Sequence, residues 1–299
     1  MGIPTISGED VQCVLKWDAI VGESPLWHPL ERRLYWIDIQ GKKIHRFDPN
    51  SGVNETFELP DLVTCIAFRK NGGLLLTLRK CFAFFDPDSG SLEDLAEVES
   101  EKQNTRFNDG RVDPRGRFWA GTMGDPEWDQ PLGNLYRFGA DQTVTRMCTN
   151  VVCSNGTDWS PDGRTMYYTQ SFRYTIFAYD FDLVTGSLAN RRIFARVDRN
   201  LGGFPDGLCV DAQGYVWSNQ VGIGRVVRYD PNGCIERQIQ LPVPRAVGCT
   251  FGGGDLSTLF ITSARETMMP KQLENAPLSG SVFAVRPGVR GQAVTSFDG

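Results

Sequence analysis

The chain has 299 residues, 40% hydrophobic and 22% charged, the make-up of a soluble globular protein with enough apolar material for a large core. Its net charge of -5 and pI near 5.2 give no cationic footprint for a phosphate backbone, so a nucleic-acid partner is not expected. No apolar run approaches the ~18 residues of a spanning helix, and the first ten residues lack a basic start and a hydrophobic centre; no membrane partner and a cytoplasmic location are expected.

In chain order, Met1-Gly2 opens like a myristoylation signal, but Ile6 stands where that motif needs Ser or Thr. Residues 11–16 (VQCVLK) then read as a short strand ahead of a repeating unit. Each copy of the unit carries an apolar residue just before a turn, Gly-containing in all copies but the first, followed by alternating or aromatic-rich text, which signals strand, turn, strand. The anchors are Trp27, Phe68, Val112, Trp159, Val210 and Phe251, spaced by 41, 44, 47, 51 and 41 residues. That period matches the ~40 to 50 residues of a four-stranded propeller blade. Third and fourth strands are read at 43–47, 135–138, 176–179 and 226–229, closed by turns such as Asp48-Pro49-Asn50-Ser51-Gly52 and Asp230-Pro231-Asn232-Gly233, where Pro fixes φ and Gly takes a positive φ.

Residues 264–280 are polar and read as a loop on one face before a last strand at 281–285. The expected fold is therefore all-β, a six-bladed β-propeller of four-stranded blades. It occupies residues 1–299 as one domain, with the ring closed by strand 11–16 joining the sheet that begins at Phe251 and hiding its edge. The eight cysteines, at 13, 65, 81, 148, 153, 209, 234 and 249, form no C-x-x-C pair and are expected to be core thiols.

Because each anchor holds the same place in its blade, residues at a fixed offset from it should ring the central axis. Four positions before the anchors stand Glu23, Thr64, Asn108, Asn155, Asp206 and Val247. Four of these carry a carboxylate or amide oxygen where strands normally place Val, Ile or Thr. Singly, Asn108-Asp109-Gly110, Asn155-Gly156 and Asp206-Gly207 read as turns. Glu23 in Gly22-Glu23-Ser24-Pro25 is no turn former, yet it falls in the same register.

Two carboxylates facing each other there would repel by about 4 kcal/mol at ~4 Å and an effective dielectric of ~20, so a positive charge belongs between them. An oxygen-only donor set suits a hard divalent cation, calcium first, with zinc, manganese or iron also compatible. His28 and His45 fall outside the ring and read as packing or surface residues. A cation in a water-filled channel supports hydrolysis, with Asp206 as general base. Arg106, two residues before Asn108 and on the same side of an extended segment, is placed to hold a polyhydroxylated or anionic ligand.

The motifs Gly22-Glu23-Ser24-Pro25-Leu26-Trp27, Arg106-Phe107-Asn108-Asp109-Gly110, Ser154-Asn155-Gly156 and Phe204-Pro205-Asp206-Gly207 together resemble the senescence-marker-protein-30, gluconolactonase and luciferin-regenerating-enzyme family over nearly the full chain. The resemblance implies a six-bladed propeller with one functional divalent metal on Glu23, Asn155 and Asp206. It further implies substrate contacts from Arg106 and Asn108, and Asp206 as the base. Relatives carry a substrate-contacting Glu shortly after the Ala-Gly-Thr-Met segment; here Gly124-Asp125-Pro126-Glu127 follows at a different spacing, which leaves the role of Asp125 and Glu127 open. The expected function is metal-dependent hydrolysis of a small-molecule sugar lactone such as gluconolactone to its aldonic acid. The alternatives are hydrolysis of other lactones, esters or organophosphates, or a non-catalytic calcium-binding propeller.

Overall fold

A computed structural model describes residues 2–299. Six antiparallel sheets follow one another along the chain, each built outward from its first strand. Those first strands are Gly22–His28, Val63–Phe68, Thr105–Val112, Ser154–Trp159, Phe204–Val210 and Ala246–Gly252, and each carries one of the six anchors at or next to its end. Each packs against the first strand of the next blade, and the sixth packs against the first, so the ring is closed. The fold is a six-bladed β-propeller, as the period predicts.

Burial grades outward as this geometry demands. The strand Val63–Phe68 is wholly buried, whereas the outer strand Leu188–Arg196 is mostly exposed. Six apolar clusters fill the seams between neighbouring blades, and the seam between the last blade and the first includes Trp27, Trp36, Phe260 and Val282. There Trp27 stacks on Phe260 at 5.5 Å with the rings 8° apart. Gly252 makes the approach possible, since a Cβ would come within 2.7 Å of the Trp27 ring.

The closure expected from residues 11–16 is present: Gln12–Leu15 pairs antiparallel with Val282–Val285 as the outer strand of the sixth blade. Ahead of it, Thr5–Ile6 adds to the fifth blade as a parallel fifth strand beside Ile235–Gln240. Two residues are too short for a periodic signal, so this pairing had no trace in the sequence. The segment 264–280, expected as a loop, contains a short helix, Pro270–Asn275. Among the described residues no helix is long and apolar enough to cross a membrane.

Turns after two anchors share a device. Asp113 accepts from the backbone of Arg115 and Arg117 and from Trp119 Nε1 at 2.9 Å, while Asp211 accepts from Gln213, Tyr215 and, at 3.0 Å, Trp217 Nε1. An arginine neutralises each carboxylate: Arg117 for Asp113 and Arg228 for Asp211. The third and fifth blades thus pin the turn to the tryptophan on the second strand.

Both histidines lie in the first blade, away from the axis. His28 rests edge-on against Phe68. His45 is fully buried, stacked at 4.0 Å on Trp36 and edge-on to Trp17. Burial, and secondarily the charge of Lys43, lowers its pKa to about 3. A histidine held neutral in the fold favours folding fully above its unfolded value near 6.5, and that contribution is lost as pH falls toward 3. Urea unfolding should therefore show a loss from this group of about 2 kcal/mol between pH 7 and pH 5, and His45→Asn should remove that part of the pH dependence.

Candidate active site

The side chains that matter sit on irregular backbone. In every blade the pairing of first and second strands slips, between Glu23 and Leu26, Val63 and Cys65, Phe107 and Gly110, Asn155 and Thr157, Pro205 and Leu208, and Ala246 and Cys249. All six positions four before the anchor lie at these bulges. A bulge bends its strand and re-aims a side chain, which explains how residues inside a buried strand come to face a central channel.

The glycines next to the ring serve close approach. A Cβ on Gly156 would lie 2.6 Å from Asp206 O, one on Gly207 2.8 Å from Val247 O, and one on Gly248 3.2 Å from Glu23 Oε2. The Asn-Gly and Asp-Gly pairs are accordingly bulged strand and not turns.

Glu23, Asn108, Asn155, Asp206 and Val247 line one cavity at an end of the channel, together with Arg106. Thr64 does not: its hydroxyl turns back to Thr77 O and Oγ1, at 3.2 and 2.9 Å. The second blade therefore takes no part in the ring of donors.

The electrostatics fit a cation. Burial, then the neighbouring Asp206 and Asp109 carboxylates, push the Glu23 carboxyl well above its ordinary range, and burial followed by Asp109 does the same to Asp206. Asp206 Oδ1 and Asn155 Oδ1 are buried without a hydrogen-bond partner. Asn155 Nδ2 donates to Ser171 Oγ at 3.0 Å, which fixes the amide with its oxygen free. Leaving such acceptors unpaired costs about 1–3 kcal/mol each, a cost that a bound divalent cation removes. Among the described residues no trio of His, Cys, Asp or Glu side chains offers a competing metal site.

Arg106 is buried beside these donors. Its Nη1 donates to Asn108 Oδ1 at 2.8 Å and to Phe107 O at 2.9 Å, with Asp125 Oδ2 3.9 Å from Nε. Asn108 Nδ2 in turn donates to Ser154 O at 2.8 Å. Asn108 thus braces Arg106 and ties the third blade to the fourth, leaving a second oxygen lone pair and the other Nδ2–H for a ligand. Asp125 sits between Arg79, at 2.9 Å, and Arg106. Glu127 is exposed and accepts from Asn104 at 3.3 Å.

Sequence reasoning missed Arg245, Glu266 and the aromatic walls Trp128, Phe172 and Phe204. A signal for part of this exists. Stepping back six from the anchors gives Val21, Leu62, Arg106, Cys153, Phe204 and Arg245, and all but Leu62 line the cavity, forming a second ring above the first. On the other side of the donors, Asp109 lies in the channel, its pKa raised to about 6 chiefly by burial.

With this arrangement in view, the comparisons with known proteins are decisive. The SMP-30/Gluconolactonase/LRE-like region model matches residues 21–265. The chain belongs to this family. It is 39% identical over 291 residues to a 6-deoxy-6-sulfogluconolactonase of Pseudomonas putida, covering 97% of this chain and 99% of that one. It is 40% identical over 297 residues to regucalcin of Danio rerio, covering 98% and 100%. The crystal structure of regucalcin from Agrobacterium tumefaciens, described as a calcium-binding protein, superposes with a TM-score of 0.91 at 26% identity, covering 99% and 98%.

Proposed function

We propose that this family member, a lactone hydrolase of the gluconolactonase type, opens an aldonolactone such as gluconolactone to its aldonic acid with the help of one divalent cation. The reading rests on one observation above all. The unpartnered oxygens of Asn155 and Asp206 share a buried cavity with Glu23 and with the guanidinium of Arg106. Glu23, Asn155 and Asp206 would hold the cation, calcium being favoured by the all-oxygen donor set. When bound, such an ion supplies Lewis-acid polarisation of the ester carbonyl.

Asp206 keeps a carboxylate oxygen to take the proton of the attacking water. Arg106, held in place by Asn108, faces the sugar hydroxyls, with Asn108 contributing its remaining lone pair and N–H. Trp128, Phe172 and Phe204 narrow the cavity against bulk water, which strengthens every charge interaction inside it.

A panel of gluconolactone, xylonolactone, an aromatic lactone and an organophosphate, scored by proton release with calcium, manganese or zinc present, tests the proposal. Sugar lactones are expected to be opened at least tenfold faster than the other two. A preference for the aromatic lactone or the organophosphate moves the protein to a different hydrolase class. The second reading, a calcium-binding propeller without turnover, draws on the same oxygen donors and on the regucalcin relatives. It predicts cation-dependent melting with no hydrolysis of any compound on the panel.

A further inference from the structure

Arg245 lines the cavity, yet no step of the proposed reaction uses it. It immediately precedes the first strand of the sixth blade, two residues before Val247, in the same relation that Arg106 bears to Asn108. The two guanidiniums differ in what they already hold. Arg106 is engaged by Asn108 and Phe107 and faces Asp125. Arg245 donates from Nη1 to a neutral acceptor, Thr267 Oγ1, at 3.1 Å, and makes no ion pair within 4.0 Å among the described residues.

Its Nε–H is buried without a partner. The edge formed by Nε and Nη2 is therefore a vacant pair of charged donors, in the fork geometry that grips an oxyanion through two parallel bonds. The nearest negative charges do not fill that role. Glu266, also at the cavity wall, accepts from Gln40 Nε2 at 3.3 Å, and Asp206 belongs to the cation.

We propose that Arg245 binds a tetrahedral oxyanion substituent, phosphate or sulfonate, carried by the lactone, so that the preferred substrate is an anionic aldonolactone. This assignment rests on the lactonase reading and refines its substrate. The test compares gluconolactone with its 6-phosphate and 6-sulfonate counterparts, using wild type, Arg245→Met and Arg245→Lys, each supplied with calcium. Wild type is expected to show kcat/KM at least tenfold higher for one charged lactone than for the neutral one, and the better charged lactone names the oxyanion. Arg245→Met should lower that ratio at least tenfold, and Arg245→Lys, which keeps the charge but loses the two-bond fork, should retain only part of it. Equal kcat/KM for charged and neutral lactones in wild type, or an equal fall for both in Arg245→Met, overturns the assignment.

If wild type opens none of the three, the lactonase reading fails by itself. Arg245 is then judged by calorimetry with 6-phosphogluconate and gluconate. Tighter binding of the phosphorylated acid by wild type and not by Arg245→Met sustains the subsite, and equal binding overturns it.

Discussion

Asp206→Ala is expected to lower kcat for gluconolactone hydrolysis by at least about 10³-fold, equivalent to about 4 kcal/mol of transition-state stabilisation, while the protein stays folded. Asp206 serves twice in the proposal, as a donor to the cation and as acceptor of the water proton. Its removal costs the fold little, because its carboxylate is buried beside like charges on Asp109 and Glu23 and has an oxygen with no partner. Thermal melting without added cation should show a Tm for the variant no lower than wild type. Asp206→Asn separates the two roles: the amide keeps a ligand oxygen and loses the base, so cation-dependent stabilisation survives in part while turnover does not. Near-native hydrolysis by either variant would remove Asp206 from the chemistry.

Removing the cation should have the other large effect. Chelation is expected to abolish hydrolysis, and re-addition to restore it. At a cation concentration about 100 times Kd the fold gains about 2.7 kcal/mol, which for a domain of this size raises Tm by roughly 4 °C. The physical source is the relief of repulsion between Glu23 and Asp206 together with the filling of the vacant acceptors on Asn155 and Asp206. Glu23→Gln should blunt both responses, since it removes a charged donor from the set. Full activity in the presence of chelator would exclude a metal-dependent mechanism.

Much of this was legible in the sequence because a propeller repeats its geometry. Recurrence of Trp27, Phe68, Val112, Trp159, Val210 and Phe251 at intervals of 41 to 51 residues marks equivalent strands, so a fixed offset from them marks equivalent places around the axis, among them Glu23, Asn108, Asn155 and Asp206. What the offset cannot carry is the bulge. Slippage of each first strand is a property of pairing, visible only in the spacing of glycines such as Gly156, Gly207 and Gly248, which also read as turn residues.

Thr64 has the right register, but its hydroxyl finds Thr77 within its own blade. Arg245 went unnoticed because Val247, the residue at the ring offset of its blade, is apolar and drew no attention to its neighbours. Glu266 follows the second strand of the sixth blade, Thr258–Ser263, in a connection to the third strand longer than that of any other blade, so no repeat announces it. All eight cysteines are free thiols, but the expected core placement holds only for Cys65, Cys153, Cys209 and Cys249; Cys13, Cys81 and Cys148 are half-buried and Cys234 is exposed, while Cys209 and Cys249 lie 3.6 Å apart across adjacent inner strands.

The most direct test is a crystal of this protein grown with manganese and measured for anomalous scattering. A single strong peak is expected at the hub, within about 2.6 Å of oxygens of Glu23, Asn155 and Asp206. No peak there, or a peak bound by other side chains, would contradict the account.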